Sequence, residues 1–338
     1  MKKIQKILLV VILVMLSLFS CAPKSKEAAG ECEKSRYVYL VAGFDEVAEN
    51  TDVLFTVSYD ANTNMGYVAQ IPRDTYYNFG KSQNKINQIY ATLISEGKNP
   101  REALELTSER IEDLFGTKFD GFIGITVDTF KRLVDAIGGI DIELSEDITL
   151  YLDSEDEPIV LKQGMNHIDG EGALSFVRFR SGYAMGDLGR IDAQKLFLNG
   201  IFHKLSKGVS VPSMFKIANA FQNRITSNVK LGNLLSLYID SLGSELERRV
   251  CYVTVPGEPL NSSEGVSYYV LNRKNAAEIA IKYMNATEDF DKNMLCRNDN
   301  ESGFVNIYDD DRLGYREYTN ENLVDMHIIQ KNNFGDIK

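Results

Sequence analysis

The chain has 338 residues, of which 44% are hydrophobic and 10% aromatic, and a formal net charge of −11 at pH 7. This length suits one large domain or two small ones, and the apolar content is enough for a sizeable core. Nucleic-acid binding requires a basic surface, and so does docking to anionic lipid by charge alone; a chain this acidic argues against both. Its three histidines lack the spacing of zinc ligands.

The N-terminus predicts a secretion signal over residues 1–20. Residues 1–6 contain three lysines, and residues 7–19 are apolar except for one serine. This layout is typical of a signal peptide, and the apolar run is short for a membrane span, which takes about 20 residues. Cys21, directly after Ser20, indicates a lipobox in which Cys21 is lipidated and becomes the new N-terminus. The alternative is an uncleaved membrane anchor. Both place the rest of the chain outside the cytoplasm, on the membrane.

Strand and helix patterns alternate from residue 36 onward. Residues 22–35 are small and charged and predict a flexible tether. Strands are predicted at Tyr37–Gly43, Asp52–Tyr59, Tyr67–Ile71, Gly121–Val127, Ile140–Leu144 and Cys251–Val255. Helices are predicted at Lys85–Ser95, Pro100–Phe115, Asp128–Ile137 (capped by Asp128), Gly170–Val177, Arg190–Leu205, Pro212–Phe221, Leu231–Leu242 and Asn275–Met284. The fold class is therefore α/β, with a central mixed sheet covered by helices on both faces.

Four segments follow from these patterns: a signal at 1–20, a lipid-anchored linker at 21–35, a main domain at 36–290 and a polar tail at 291–338. The tail contains a run of three aspartates at 309–311, which lacks the spaced ligands of a calcium loop and is expected to be solvated. Cys251 and Cys296 can form a disulfide in an exported protein or stay as free thiols, and the sequence leaves both open. Cys32 lies in the linker.

Charged residues gather where the predicted strands end. Asp45 follows the first strand, Asp52 opens the second, and the segment 72–75 (Pro-Arg-Asp-Thr) follows the third. A further group comprises Arg178, Arg180, Asp187, Arg190 and Gln194. Ligands of α/β sheets bind at such strand ends, where carboxylates hold hard divalent cations and arginines grip phosphate oxygens. An arginine cluster in an acidic chain therefore indicates an anionic ligand.

The spacing within the last group places its members. Arg178 and Arg180 would diverge on a helix, so we expect both just past the helix that ends near Val177, in an extended segment. Arg190 and Gln194 are four apart and share one helix face. The alternative to a ligand site is that these arginines form structural salt bridges with the nearby aspartates.

Several motifs, in order, resemble the LytR-CpsA-Psr family of bacterial cell-wall phosphotransferases. They are Asp45, Thr51-Asp52, IPRDT at Ile71–Thr75, Lys85-Ile86-Asn87, VDAIGGIDIEL at Val134–Leu144, LKQGMNHIDGEGALSFVRFR at Leu161–Arg180, GDLGR at Gly186–Arg190 followed by Gln194, and Tyr268–Leu271. The likeness covers roughly residues 37–285. Because several distinct motifs stand in the family's order, the signal is more specific than any single short motif.

The resemblance implies transfer of a glycan polymer, as its phosphate, from a polyprenyl diphosphate carrier to peptidoglycan or another cell-surface acceptor. It implies Mg²⁺ (or Mn²⁺) held by Asp45 and Asp52, with the apolar helices leaving a groove for the polyprenyl chain. Asp52, Arg73 and Asp74 are the expected catalytic residues, with Asp52 or Asp74 taking the proton of the acceptor hydroxyl. The residues expected to bind substrate are Lys85, Arg178, Arg180, Asp187, Arg190 and Gln194.

Two positions depart from the family pattern. The family usually has arginine two residues before the aspartate of the second strand, where this chain has Asn50, and often a second arginine just before the glutamine, where it has Ala193. Losing two cations weakens the grip on a diphosphate. Two other functions therefore stay open: a non-catalytic lipoprotein that binds the carrier-linked glycan, and a hydrolase of polyprenyl diphosphate.

Overall fold

A computed structural model describes residues 36–44, 50–78, 84–150, 158–179, 183, 187–208, 210–229, 249–262, 264–290, 295, 315–319 and 322–323. Its strands are β1 (Arg36–Phe44), β2 (Thr51–Asp60), β3 (Met65–Gln70), β4 (Gly121–Thr126), β5 (Ile140–Leu144), β6 (Ile148–Leu150), β7 (Ile159–Leu161), β8 (Gly164–Ile168), β9 (Thr226–Ser227), β10 (Val250–Thr254), β11 (Gly257–Asn261), β12 (Ser267–Leu271) and β13 (Tyr318–Thr319). Its helices are α1 (Gln88–Ser95), α2 (Pro100–Phe115), α3 (Val127–Ala136), α4 (Gly170–Arg178), α5 (Asp187–Ser206), α6 (Val211–Arg224) and α7 (Arg273–Met284).

The main sheet is mixed and has the strand order β13-β10-β3-β2-β1-β4-β9. β2 pairs antiparallel with both β1 and β3, whereas β4 runs parallel to β1 and β10 parallel to β3. Three two-stranded ribbons, β5-β8, β6-β7 and β11-β12, lie beside it. The predicted α/β class with a mixed sheet is confirmed.

Side chains alternate between the two faces of this sheet and enter two separate cores. Leu54 of β2 joins one cluster and its neighbour Phe55 joins the other. The first cluster takes apolar residues from α1, α2 and α7, and the second takes them from α3, α4 and α5. Helices therefore cover both faces, as predicted, and burial of two apolar layers stabilises the sheet.

Most predicted elements appear within a few residues of their expected bounds. Helix α2 has the predicted bounds, with the Asn99 side chain accepting from Glu102 N–H and Gly116 ending the helix at φ 60°. Helix α1 begins at Gln88, three residues later than predicted. The predicted helix Leu231–Leu242 lies outside the described residues.

The predicted cap of α3 is wrong. Thr126 caps the helix by accepting from Thr129 N–H, and Asp128 lies in the first turn. There its carboxylate accepts from Arg132 at 2.9 Å and Arg224 at 3.1 Å, so it ties α3 to the end of α6. Thr126 directly precedes the first helical residue, which is the position from which a side chain can reach the free N–H groups of the first turn.

Part of the segment that we predicted to be a polar tail belongs to the main sheet. Tyr318–Thr319 forms β13 and pairs antiparallel with Tyr252 and Cys251 of β10. Cys251 is half-buried and a free thiol in the described chain, and burial raises its pKa; Cys296 and Cys32 lie outside the described residues. Within those residues, no helix is both long and apolar enough to cross a bilayer.

Candidate functional site

The β2-β3 hairpin brings two predicted site residues together. In its antiparallel register Phe55 faces Gln70, so the start of β2 and the residues just after β3 meet at one edge of the sheet. There Arg73 Nη1 lies 2.7 Å from Asp52 Oδ1. Both side chains are partly exposed, at 19% for Arg73 and 28% for Asp52.

A second ion pair continues this group. Lys85 Nζ lies 2.9 Å from Asp74 Oδ1, and Arg73 Nε lies 3.8 Å from Asp74 Oδ2. Lys85 is held there because it forms an isolated bridge with Tyr76 instead of starting helix α1. Asp52, Arg73, Asp74 and Lys85 therefore form one continuous cluster of alternating charge, which we call the ion-pair cluster.

Backbone hydrogen bonds fix the segment that carries the ion-pair cluster. Asp74 O accepts from Tyr269 N–H, and Tyr269 O accepts from Tyr76 N–H, both at 2.8 Å. The Thr75 hydroxyl donates to Pro72 O at 2.6 Å. Strand β12 thus supports the ion-pair cluster from behind, and the Lys85 ammonium lies 5.8 Å from the Tyr268 ring centroid.

Tyr269 itself is buried and stays protonated. Burial raises the pKa of its phenol, whose hydroxyl donates to Val255 O at 3.1 Å. Sequence analysis named the segment of β12, Tyr268–Leu271, only as the last of the family motifs, and its supporting contact with Asp74 was missed. The two residues are far apart in the chain and the contact is between backbone atoms, so no side-chain pattern could have indicated it.

Helix α5 approaches the same region through Gln194. Its Oε1 accepts from Gln70 Nε2 at 3.1 Å, and its Nε2 donates to Val177 O at 3.3 Å. Gln194 therefore links the end of β3, three residues before Arg73, to the end of α4. Arg190 is only 4% exposed and lies one turn earlier on the same face of α5, as predicted.

Of the other predicted site residues, the structure describes two and leaves three outside the described residues. Arg178 is exposed and is the last residue of α4, so its predicted position past the helix is wrong by one residue. Helix α4 continues because Phe179 N–H still donates to Ser175 O. Asp187 is the first residue of α5. Asp45, Arg180 and Cys21 lie outside the described residues.

The salt-bridge alternative is partly realised, because Arg73 is paired with Asp52 and Asp74. Pairing does not exclude a ligand, since the paired groups are partly exposed and can exchange partners with phosphate oxygens or a metal ion. Within the described chain, no group of three or more His, Cys, Asp or Glu side chains stands at metal-binding distances.

Comparison with known proteins identifies the family. A model of the LytR_cpsA_psr family matches residues 20–284, well over half of the chain. The chain belongs to the LytR_cpsA_psr family. This match confirms the family that the motifs and their order predicted.

Relatives of this LytR_cpsA_psr protein include named transferases. It is 25% identical over 244 residues to the polyisoprenyl-teichoic acid–peptidoglycan teichoic acid transferase TagU of Oceanobacillus iheyensis, covering 71% of this chain and 72% of that protein. It is 26% identical over 249 residues to the corresponding transferase TagV of Bacillus subtilis, covering 71% of this chain and 61% of TagV. The crystal structure of B. subtilis TagV matches with a TM-score of 0.62 at 23% identity, over 75% of this chain and 99% of that one, which shows the shared fold.

The two departures from the LytR_cpsA_psr pattern have different surroundings. Asn50 is partly buried and directly precedes β2, where its carbonyl accepts from Asp52 N–H at 3.1 Å. Ala193 is fully buried and belongs to the apolar cluster that α5 shares with the sheet. Position 193 therefore faces core side chains in this chain, and an arginine could not be accommodated there without repacking.

Proposed function

We propose that this protein transfers a glycan polymer, as its phosphate, from a polyprenyl diphosphate carrier to a hydroxyl of peptidoglycan or of another cell-surface acceptor. The observation that carries the proposal is the ion-pair cluster, in which Arg73 lies between Asp52 and Asp74 at the sheet edge. Membership in the LytR_cpsA_psr family and the transferases TagU and TagV among its relatives support it.

The residues suit phosphoryl transfer because that reaction depends on positioning and on neutralising charge. Arg73 and Lys85 supply cations at the sheet edge, and Arg178 stands next to the Val177 carbonyl that binds Gln194. Arg190, one turn before Gln194 on α5, is proposed as a further cation. Guanidinium groups grip diphosphate oxygens through paired hydrogen bonds. Arg180 and Asp187 complete the proposed substrate-binding set.

We propose Mg²⁺ (or Mn²⁺) as the cofactor, held by Asp52 and Asp45. The residues fit such an ion, since the Asp52 carboxylate is partly exposed and a carboxylate is a hard oxygen ligand. Magnesium in phosphoryl-transfer sites commonly takes one or two protein carboxylates, with water and substrate phosphate completing its shell. When bound, the ion would neutralise charge on the diphosphate.

A carboxylate is proposed to take the proton of the acceptor hydroxyl, and Asp52 and Asp74 are both candidates. Asp52 accepts one hydrogen bond from Arg73, whereas Asp74 lies between Lys85 and Arg73. Each is partly exposed, so each is open to an approaching hydroxyl. Asp52→Asn and Asp74→Asn, compared at saturating magnesium, distinguish a base from a metal ligand.

Two other functions use the same residues. A lipoprotein that only binds the carrier-linked glycan is favoured by the absence of arginine at Asn50 and Ala193. A hydrolase would transfer the phosphate to water instead of to a sugar. The ion-pair cluster of Asp52, Arg73, Asp74 and Lys85 supports turnover over binding alone, because phosphoryl transfer depends on such paired charges.

We also propose that the protein works on the extracytoplasmic face of the bacterial cell membrane, anchored by lipid on Cys21. The layout of residues 1–21 supports this location. Mass spectrometry of the mature N-terminus tests it, because a diacylglyceryl mass on Cys21 is expected, and Cys21→Ala should remain unlipidated. An N-terminus at Met1 would favour the uncleaved anchor.

The test of the transferase is mass spectrometry on a synthetic polyprenyl diphosphate-linked sugar incubated with the protein, Mg²⁺ and a muropeptide. A mass for sugar-phosphate joined to the muropeptide is expected. Bound but unconverted substrate would favour the binding protein, provided that a relative such as B. subtilis TagV converts it in the same assay. Conversion without any muropeptide would favour the hydrolase.

A further inference from the structure

The C-terminal segment crosses the edge of the main sheet and is fastened to both of its faces. We define the C-terminal clasp as residues 315–319 and 322–323. Its strand β13 pairs with β10, and Leu323 behind it is fully buried. All of the clasp lies beyond residue 284, where the match to the family model ends.

On one face the clasp is joined to helix α7. Lys282 Nζ lies 2.6 and 2.8 Å from the two carboxylate oxygens of Glu317, and the Tyr283 hydroxyl donates to Glu317 Oε1 at 3.1 Å. Tyr315 packs against the apolar cluster on this face. The carboxylate of Glu317 therefore joins the clasp to helix α7 on this face of the sheet.

On the opposite face the clasp is joined to helix α5. Neighbouring residues of a strand point to opposite faces, and accordingly Tyr318 packs against the other apolar cluster. The Lys195 ammonium lies 5.0 Å from the centroid of the Tyr318 ring and 2.7 Å from Asp192 Oδ1. Leu323 is buried in the same cluster as Tyr318.

Lys195 is an unusual residue for this position because its side chain is only 2% exposed. Lysine is almost never buried to this extent unless it is paired, since removing its charge from water is costly. Burial lowers its pKa, and the carboxylate of Asp192 acts in the opposite direction. The Tyr318 ring face supplies a further attraction for the ammonium in this desolvated position.

Lys195 follows Gln194 in the chain, so whatever holds Lys195 also fixes the part of α5 that reaches the site. We propose that the clasp positions helix α5, and with it Gln194 and Arg190, against the sheet, and that Lys195 and Tyr318 are the positioning residues of this contact. The consequence for activity rests on the proposed function. The consequence for the mobility of α5 does not.

The first experiment measures hydrogen–deuterium exchange of the full-length protein and needs no substrate. Tyr318→Leu removes the ring face while keeping an apolar side chain, and we expect about threefold to tenfold faster exchange in α5 with α7 unchanged. Glu317→Gln is the matched control on the other face and should loosen α7 alone. Tyr318→Phe retains the ring and should exchange like the wild type.

Equal acceleration of both helices by Tyr318→Leu, or none in α5, would overturn the proposal. Should Tyr318→Leu fail to fold, Lys195→Met replaces it, because methionine keeps the buried volume and removes the cation from the ring. The same selective loss of protection in α5 is expected. An unchanged α5 in this variant would equally contradict a positioning role.

The second experiment measures transfer kinetics with the polyprenyl diphosphate-linked sugar. We expect Tyr318→Leu to raise the KM for the carrier substrate about threefold to tenfold, with Glu317→Gln within about twofold of the wild type. A loss of thermal stability without this difference in KM would make the clasp a stabilising element only. If the wild type transfers nothing, the proposed function fails, and the exchange experiment still decides the role of the clasp.

Discussion

Gln70 at the end of β3 donates a hydrogen bond from Nε2 to Oε1 of Gln194 on α5, at 3.1 Å, and both side chains are buried. The bond joins the strand that leads into Arg73 to the helix that carries Arg190. It therefore couples the position of the ion-pair cluster to that of α5, although the two come from distant parts of the chain.

Breaking one side of this pair should destabilise the protein. In Gln194→Met the side chain keeps its length, but the Gln70 amide loses its acceptor in a buried place. We expect a loss of about 1–3 kcal/mol in the free energy of unfolding, together with a fall in transfer rate. Urea denaturation followed by circular dichroism measures the first, and the mass-spectrometric assay measures the second.

The double variant Gln70→Met/Gln194→Met separates the two effects. With both polar partners replaced by apolar groups of similar shape, most of the lost stability should return. The transfer rate should stay low if Gln194 contacts the diphosphate. Recovery of both stability and rate would show that Gln194 has a structural role only.

Arg73→Ala should abolish transfer and leave the fold intact. Arg73 is partly exposed and its partners Asp52 and Asp74 can be solvated, so its loss leaves no buried charge. Removing one preorganised donor to the reacting phosphate is expected to lower kcat by at least about a hundredfold. Arg132→Ala is the matched control, because it removes an exposed arginine that is paired with Asp128 on α3.

If circular dichroism showed that Arg73→Ala is unfolded, the role of Arg73 would be structural. The same measurement applies to Arg178→Ala, since Arg178 is exposed at the end of α4 and its loss should affect only activity. Wild-type rates in either folded variant would remove that residue from the proposed diphosphate site.

The sequence predicted the fold well because its elements have strong local signals. Strands β2 and β3 are rich in apolar and β-branched residues and are joined by the turn-forming segment Asn62-Thr63-Asn64. Helix α2 has Pro100 at its start and Gly116 at its end, so few alternatives compete. The approach of Asp52 to Arg73 was also foreseeable, since both stand at one end of a hairpin. Features that depend on local pattern were therefore largely recovered.

Contacts between distant segments were not recovered from the sequence. The clasp was assigned to a polar tail because two strand residues, Tyr318–Thr319, carry no periodicity on their own. The buried position of Lys195 was equally hidden, since lysine on a helix is normally expected at the surface. Such features depend on tertiary packing, which overrides local preference.

Asp52→Ala should weaken magnesium binding. The carboxylate is proposed to hold the ion, and its removal takes a hard oxygen ligand from a site with few protein ligands. Isothermal titration of the protein with Mg²⁺ should show a Kd at least about tenfold higher than that of the wild type. Asp128→Ala, far from the ion-pair cluster in the chain, is the control and should leave the Kd unchanged. An unaltered titration for Asp52→Ala would remove this residue from the metal site.

The contact of Asp128 with α6 should depend on pH. A hydrogen bond from Arg132, with the charge of Arg224 nearby, lowers the pKa of Asp128 below its ordinary value. A lowered pKa in the folded state gives stability that is present above about pH 4 and is lost as pH falls through the folded value. The wild type should therefore melt above Asp128→Asn at pH 7, and the difference should shrink toward pH 3. A difference in Tm that stays constant over this range would contradict the assignment.

Restoring the two arginines that the family pattern contains should give opposite results. Asn50→Arg adds a cation at a partly buried position before β2, next to the ion-pair cluster, and we expect a stable protein with a lower KM for the carrier substrate. Ala193→Arg places a charge in the apolar cluster beneath α5, which should cost about 3–5 kcal/mol and prevent any gain in transfer. Thermal melting and transfer kinetics on both variants make the comparison. A variant Ala193→Arg that is stable and faster than the wild type would contradict this expectation. Helix α5 would then have to move readily enough to bring position 193 to the site. In that case the absence of the arginine limits catalysis in this chain.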